Sequence, residues 1–137
     1  MSQTCRVLVG DDDVHDRYFL ERGFKEVCPN TRVDFVQNGE AVMRYLEDTS
    51  HPLPALLIVD SMMPKIDGFA VLTWLRSKEK FDGVPVVMFS GNGYGKNIEK
   101  ALELGAAEFV KKPDEVFELK KLIEGWRKAY LTLQADS

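Results

Sequence analysis

The sequence lacks most features that mark a secreted, membrane-bound or metal-rich protein. It has only two cysteines, Cys5 and Cys28, which form no C-x-x-C pair and no recognisable metal-ligand spacing. We therefore expect two free thiols in a reducing compartment. No apolar run approaches the ~18 residues that a membrane span needs, and no charged and apolar leader precedes the first strand-like segment. These absences favour a soluble, cytoplasmic protein.

The charge balance gives no reason to expect binding to nucleic acid or to a membrane. The chain carries 18 Lys and Arg against 22 Asp and Glu, a net charge of −4, with no basic block. It also lacks the basic amphipathic helix typical of membrane docking. No linker, repeat or low-complexity stretch interrupts it, so residues 1–137 are predicted to form a single domain with a core at about 6–130 and no attached output domain.

The apolar pattern predicts alternating strands and helices. Apolar, β-branched segments typical of strands occur at 6–9, 32–36, 55–59, 85–89 and 108–111. Stripes with helical spacing lie between and after them: Leu20, Phe24 and Val27; Val42, Tyr45 and Leu46; Val71, Leu72 and Leu75; Ile98, Ala101 and Leu102; and Val116, Leu119, Ile123, Trp126 and Tyr130. This alternation predicts an α/β fold: a five-stranded parallel, doubly wound sheet in the flavodoxin-like order 2-1-3-4-5, between two helical layers.

Polar side chains follow the ends of several predicted strands. Asp11 and Asp12 follow the first strand, Asp60 ends the third, Ser90 ends the fourth and Lys112 follows the fifth. Ligands of doubly wound sheets bind beyond the carboxyl ends of the strands. Because the first and third strands are neighbours in the predicted order, the three carboxylates should converge. Such close like charges raise each other's pKa unless a cation offsets them, and hard oxygen ligands suit Mg²⁺.

Taken singly, these residues also have structural interpretations. The acidic run can be a solvated loop in which Asp13 caps the first helix. Ser90 can be a turn residue before Gly91, and Lys112 a surface lysine. Asp60 is harder to explain in this way, because an Asp that ends an otherwise apolar strand does not favour stability.

Four segments resemble the receiver domains of response regulators. They are V-L-V-G-D-D-D at 7–13, L-L-I-V-D-S-M-M-P-K-I-D-G at 56–68, V-P-V-V-M-F-S-G at 84–91 and G-A-A-E-F-V-K-K-P at 105–113. The pattern D-x-x-x-P-x-x-D-G combined with the distant K-P is the most specific part. The resemblance implies that the chain is a single-domain receiver similar to chemotaxis regulators.

The resemblance also implies roles for the acidic residues. Asp60 corresponds to the phosphoacceptor, whose carboxylate attacks a phosphoryl group and also binds Mg²⁺. Asp12 is similar to a direct Mg²⁺ ligand and Asp11 to a ligand acting through water. The backbone carbonyl of Met62 would be a third protein ligand.

Three further positions resemble the switch of the family. Lys112 corresponds to the lysine that pairs with Asp60 or its phosphate. Ser90 is similar to the hydroxyl that bonds a phosphoryl oxygen, and Phe109 to the aromatic residue that follows it. Pro113 stands where the family often has a cis peptide bond, an isomer that sequence does not determine.

The function implied by the resemblance is signalling rather than catalysis on another substrate. Phosphorylation of Asp60 with Mg²⁺ would reshape the surface of the fourth helix, fifth strand and fifth helix. A sensor histidine kinase or phosphotransfer protein would act upstream. A downstream protein, or a homodimer, would receive the signal, with neither nucleic acid nor membrane as partner.

Some positions depart from the family pattern. Gly10 replaces a bulky apolar residue, and we expect it to loosen the backbone there. The glycine-rich segment 91–95 predicts a mobile loop. Met62 and Asn92 occupy positions that influence hydrolysis of the phosphoaspartate, and an apolar Met62 predicts slow self-dephosphorylation.

Three other functions are compatible with a chain of this fold class. A pseudo-receiver that binds partners without phosphorylation is disfavoured because its acids, Ser90 and Lys112 are intact. A phosphatase of the haloacid-dehalogenase type would need a second Asp at position 62. A flavodoxin-like electron carrier would need a phosphate-cradling loop after the first strand, where the acidic run would repel phosphate without a metal.

Overall fold

The structure is a computed structural model, and it describes residues 5–91 and 95–131, except for the Lys96 side chain. The role predicted for Asn92 lies outside these residues, as does most of the loop predicted to be mobile. No helix in the described part of the chain is long and apolar enough to cross a membrane.

Strands and helices alternate five times along the described residues. The elements are β1 (Arg6–Gly10), α1 (Val14–Val27), β2 (Arg32–Val36), α2 (Gly39–Glu47), β3 (Leu56–Val59), α3 (Gly68–Arg76), β4 (Val86–Ser90), α4 (Gly95–Glu103), β5 (Glu108–Lys111) and α5 (Val116–Tyr130). A short 3₁₀ turn, Glu79–Phe81, precedes β4. The strand predictions are therefore correct to within one residue at each end.

All neighbouring strands pair in parallel, in the order β2-β1-β3-β4-β5. This order confirms the predicted α/β fold with three layers. It places β1 beside β3, with Gly10 opposite Val59. The residues that follow these two strands consequently emerge next to each other.

Two apolar clusters fill the space between the sheet and its helices. Alternate strand residues such as Leu8, Leu57 and Met88 pack with α2, α3 and α4 on one face. Their neighbours, such as Val9 and Phe89, pack with α1 and α5 on the other. Burying one such side chain contributes about 1.5–3 kcal/mol, so the rigid central strands hold the residues at their ends in fixed positions.

Asp13 is the N-cap of α1. Its carboxylate accepts hydrogen bonds from the backbone N–H groups of His15, at 2.8 Å, and Asp16, at 3.1 Å. This satisfies two donors that the first helical turn leaves unpaired. The structural interpretation of Asp13 is thus confirmed, and the start of α1 is fixed beside the acidic residues.

Gly10 packs tightly rather than loosening β1. It is buried in the strand, and a Cβ atom there would lie 2.7 Å from Cγ2 of Val42. Its carbonyl also accepts a hydrogen bond from the backbone N–H of Asp60 at 2.9 Å. The expectation of a looser backbone at Gly10 is therefore wrong, because the missing side chain makes room for α2.

The stripe predicted on α4 needs one correction. Ala101 is fully buried, whereas Leu102 is 49% exposed. Adjacent helical residues point about 100° apart, so burial of Ala101 turns Leu102 toward solvent. The described backbone has no cis peptide bond, and Lys112–Pro113 is therefore trans.

Candidate functional site

Three carboxylates meet at the carboxyl edge of the sheet, as predicted. Oxygen atoms of Asp11, Asp12 and Asp60 lie within 4.8 Å of one another. Asp11 and Asp60 are buried, with 1% and 9% exposure, and Asp12 is exposed. The cluster exists because β1 and β3 are hydrogen-bonded neighbours that end at the same level.

Lys112 reaches this cluster from β5. Its Nζ donates hydrogen bonds to Oδ2 of Asp60 at 2.8 Å, of Asp11 at 3.0 Å and of Asp16 at 2.5 Å. The backbone N–H of Lys112 donates to the carbonyl of Ser90 at 2.8 Å, which anchors the lysine to β4. The predicted pairing of Lys112 with Asp60 is present in the structure.

Asp16 is a member of this cluster that the sequence prediction missed. It lies in the first turn of α1, three residues after the N-cap. The available signal was its distance of one helical turn from the acidic run. The spacing along the sequence did not indicate the direction of α1 relative to β5. The contact between Asp16 and Lys112 depends on that direction.

The pKa values of the cluster reflect burial in competition with ion pairing. Burial raises the pKa of Asp11 to about 6, although the hydrogen bond from the backbone N–H of Asp13 and the charge of Lys112 both oppose this. Burial by itself would lower the pKa of Lys112, but the hydrogen bonds to Asp16 and Asp60 raise it above its usual value. The lysine is therefore a permanent cation at neutral pH.

The carboxylate of Asp60 is held from both sides. Its Oδ1 accepts a hydrogen bond from the backbone N–H of Met62 at 3.1 Å, and its Oδ2 faces Lys112. The Met62 side chain itself is 68% exposed. Asp60 is thus oriented by a main-chain donor and a cation, while the function predicted for the Met62 carbonyl stays a prediction.

Gly68 keeps the segment after Asp60 close to the sheet. A Cβ atom at Gly68 would lie 2.2 Å from the carbonyl oxygen of Asp60, and the Gly68 N–H donates to the Ser61 carbonyl at 3.1 Å. Only glycine tolerates this approach of α3 to the backbone of Asp60. The glycine of the D-G pair in the sequence pattern therefore shapes the site.

Ser90 lies at the site, whereas Phe109 does not. The Oγ atoms of Ser90 and Ser61 are 2.7 Å apart in a buried hydrogen bond. Phe109 is half-buried against the cluster on the α2–α4 face, opposite Met88 in the sheet. Ser61 was not predicted, because its position directly after Asp60 did not indicate that it would reach β4.

A cleft of about 630 Å³ opens onto the carboxylates. It is lined by Asp12, Asp13, Val14, His15, Asp16, Asp60, Met62, Ser90, Gly91 and Lys112. The cleft gives a reagent a path to Asp60. Because Lys112 contacts three carboxylates and Asp12 adds a fourth nearby, the negative charge is only partly offset. Their hard oxygen atoms are suited to Mg²⁺, which would add the missing positive charge.

Comparison with known proteins decides the family. Residues 7–124 match the model of the response regulator receiver domain. The chain belongs to this family. Among curated receivers, it is 31% identical over 123 residues to response regulator Rre1 of Synechocystis sp., covering 90% of this chain and 52% of Rre1.

Other receiver-containing relatives differ in length. The probable methanogenesis regulatory protein FilR2 of Methanothrix harundinacea is 25% identical, over 91% of this chain and 82% of the relative. The two-component response regulator-like protein APRR9 of Arabidopsis thaliana is 32% identical, over 96% of this chain but 27% of that protein. The receiver therefore spans about half of Rre1 and about a quarter of APRR9.

Solved structures of receivers share the fold closely. The phosphorylated cyanobacterial phytochrome response regulator RcpA has a TM-score of 0.87 at 21% identity, covering 95% of this chain and 96% of RcpA. The Mn²⁺-bound form of response regulator Rcp1 has a TM-score of 0.82 at 21% identity, covering 95% and 97%. RPA3017, in red light signaling of R. palustris, has a TM-score of 0.82 at 26% identity, covering 90% and 92%.

Proposed function

We propose that this receiver is a phosphoacceptor whose Asp60 takes a phosphoryl group in a two-component phosphorelay. The observation that carries the proposal is a buried, oriented carboxylate on an open cleft, beside two further acids and a lysine. Burial of so much like charge serves no stabilising purpose. It serves a reaction in which a cation and a phosphoryl group enter together.

The chain's own residues position the nucleophile. One oxygen of Asp60 forms a bond to phosphorus while the bond from phosphorus to the leaving group of the donor breaks. The Met62 N–H and Lys112 fix the carboxylate beforehand, and such orientation supplies much of the acceleration in phosphoryl transfer. Lys112 also offsets charge on the phosphoryl oxygens. The protein catalyses no reaction beyond its own phosphorylation and dephosphorylation.

Mg²⁺ would be held by Asp11, Asp12 and Asp60, with the Met62 carbonyl as the ligand implied by the family. When bound, the metal supplies positive charge that stabilises the phosphoryl oxygens during transfer. The support in this chain is the close set of carboxylate oxygens. A relative, Rcp1, was solved in an Mn²⁺-bound form.

Ser90 would transmit the change at Asp60 to the rest of the receiver by changing its hydrogen-bond partner. A phosphoryl group adds strong acceptor oxygens, and Ser90 would exchange its bond to Ser61 for one to the phosphoryl group. Phe109 would then repack, which alters the surface formed by α4, β5 and α5. A downstream protein, or a second copy of the chain, would bind that altered surface, and a sensor histidine kinase or phosphotransfer protein would supply the phosphoryl group.

Acetyl phosphate labelling with Mg²⁺, followed by intact mass, tests the proposal. We expect one added phosphoryl group on the wild type and none on Asp60→Asn or in EDTA. Asp67→Asn is a matched control, because Asp67 caps α3 outside the site and asparagine is an equally good cap; it should label like wild type. A folded wild type without label would contradict the proposal and favour a pseudo-receiver.

A further inference from the structure

All three N–H groups of the Lys112 ammonium can be engaged in the described structure. Their acceptors are Oδ2 atoms of Asp11, Asp60 and Asp16, at 3.0, 2.8 and 2.5 Å. An ammonium group has three donors. An incoming phosphoryl oxygen can therefore bond Lys112 only if one of these three hydrogen bonds is released.

Asp16 is the carboxylate that can leave most easily. Its side chain is 30% exposed, against 2% for Asp11 and 11% for Asp60, so water can solvate it on release. Asp11 is further held by the backbone N–H of Asp13, which donates to its Oδ1 at 2.9 Å. Asp60 has to stay in place, because its carboxylate is the attacking group in the proposed reaction.

Asp16 also stands apart from the metal-binding set. The acids whose oxygens converge within 4.8 Å are Asp11, Asp12 and Asp60. The contact of Asp16 in the site is with Lys112. The position of this contact is fixed by the fold, since Asp13 caps the start of α1 and the Lys112 backbone is bonded to Ser90.

We propose that Asp16 is a positioning residue that holds Lys112 in the unphosphorylated receiver and restrains phosphorylation of Asp60. The inference rests on the proposed function of Asp60. An interaction made only by the unphosphorylated state stabilises that state. A carboxylate that stayed in place would instead repel the incoming phosphoryl group. Both effects act in the same direction, so neutralising Asp16 accelerates labelling.

The test measures the initial rate of acetyl phosphate labelling at saturating Mg²⁺. Asp16→Asn should label roughly fivefold faster than wild type, a change expected when a neutral hydrogen bond replaces a charge-assisted one. Asp16→Glu, which keeps the carboxylate, should return toward the wild-type rate. Mg²⁺ affinity by calorimetry should stay within about twofold in both variants, since Asp16 lies outside the metal set.

Asp13→Asn is the matched control for charge alone. It removes one negative charge from the same cleft and keeps a good N-cap. If Asp13→Asn accelerates labelling as much as Asp16→Asn, or if Asp16→Asn is no faster than wild type, the inference is overturned. A wild type that never labels would overturn the proposed function instead.

A spectroscopic readout examines the contact directly. In wild type, the Lys112 ammonium protons should exchange slowly with water in ¹⁵N NMR. Exchange should become several-fold faster in Asp16→Asn but not in Asp13→Asn, because Asp16, unlike Asp13, accepts a hydrogen bond from Lys112. Equal exchange in wild type and Asp16→Asn would overturn the inference without affecting the role of Asp60.

Discussion

The hydroxyls of Ser61 and Ser90 share a buried hydrogen bond of 2.7 Å between β3 and β4. The residue proposed to respond to phosphorylation is therefore already hydrogen-bonded to the residue that follows Asp60, the proposed phosphoacceptor. If Ser90 turns away from Ser61 to bond a phosphoryl oxygen, this hydrogen bond is lost. Ser61 thus stabilises the unmodified arrangement of the receiver.

Replacing Ser61 by alanine should favour the modified arrangement. The variant loses a hydrogen bond made only before modification, which is worth about 0.5–1.5 kcal/mol. Beryllofluoride, a phosphoryl mimic, should therefore bind about twofold to tenfold more tightly with Mg²⁺, as measured by calorimetry. Ser50→Ala, an exposed change outside the site, should bind like wild type. Weaker binding by Ser61→Ala would contradict this role.

The pH dependence of metal binding should follow Asp11. Burial raises its pKa to about 6, so in the metal-free receiver the folded state binds this proton more tightly than the unfolded chain. The protonated Asp11 carboxyl therefore adds to the free energy of unfolding at low pH. This contribution is lost as the pH rises through about 6. Mg²⁺ must displace the proton, so its affinity should fall by up to about tenfold per unit below pH 6.

Carbon-13 NMR titration of the Asp11 carboxyl in EDTA measures this pKa directly. We expect a midpoint near 6. Calorimetric Mg²⁺ titrations on either side of that midpoint supply the second measurement. A midpoint at the ordinary value for aspartate, about 3.9, together with constant Mg²⁺ affinity, would show that burial does not control this group.

Adding a methyl group at Gly68 should damage both stability and the site. The new Cβ would lie 2.2 Å from the Asp60 carbonyl oxygen, so α3 or the Asp60 backbone must move. We expect Gly68→Ala to lower the free energy of unfolding by about 2–3 kcal/mol and to slow acetyl phosphate labelling.

Gly125 provides the matched control for Gly68. It lies inside α5, and a Cβ there meets nothing within 4 Å. Gly125→Ala should therefore raise the free energy of unfolding by about 0.5–1 kcal/mol. Urea denaturation of both variants measures the difference, and a similar change in the two would rule out the steric explanation.

Arg76 donates hydrogen bonds to three loop carbonyls at the end of the molecule opposite the site. Its guanidinium donates to the carbonyls of Gly105, Phe81 and Val84, at 3.2, 3.2 and 2.9 Å. Arg76→Ala should lower the free energy of unfolding by about 2–4 kcal/mol. Arg76→Lys should recover only part of this, because an ammonium cannot reproduce the planar fork of donors.

Arg44→Ala is the control for losing an arginine. Arg44 is 74% exposed and pairs only with Glu40 at 3.4 Å among the described contacts. Such exposed pairs contribute little to stability, because solvent screens them. Arg76→Ala should therefore lower the melting temperature clearly more than Arg44→Ala does. Equal decreases in the two variants would show that the three hydrogen bonds from Arg76 to carbonyls do not stabilise the fold.

The phosphoaspartate should hydrolyse slowly because Met62 cannot position water. Its side chain lines the cleft and is 68% exposed, but a thioether is only a weak acceptor. Met62→Gln should shorten the half-life of the phosphorylated protein about threefold to tenfold, less than the roughly 10²–10⁴-fold of a general base, because an amide orients water without taking its proton. Loss of label after removal of the donor measures it. A wild-type half-life of seconds, unchanged in Met62→Ala, would contradict the hypothesis.

The sequence by itself determined the elements and the acids at their ends. Strand identity follows from local composition, and parallel strands with intervening helices allow few topologies. Once β1 and β3 are neighbours, Asp11, Asp12 and Asp60 must meet. Their convergence therefore needed no information beyond the chain's local pattern and the rules of sheet topology.

Only the tertiary structure decided which side chains surround these acids. Asp16 and Lys112 are 96 positions apart, and Ser61 and Ser90 are 29 apart. Whether such pairs touch depends on the direction of α1 and on the level at which neighbouring strands end, to within about an ångström. Those quantities are set by the packing of the two apolar clusters, a collective property that no local segment of the sequence contains.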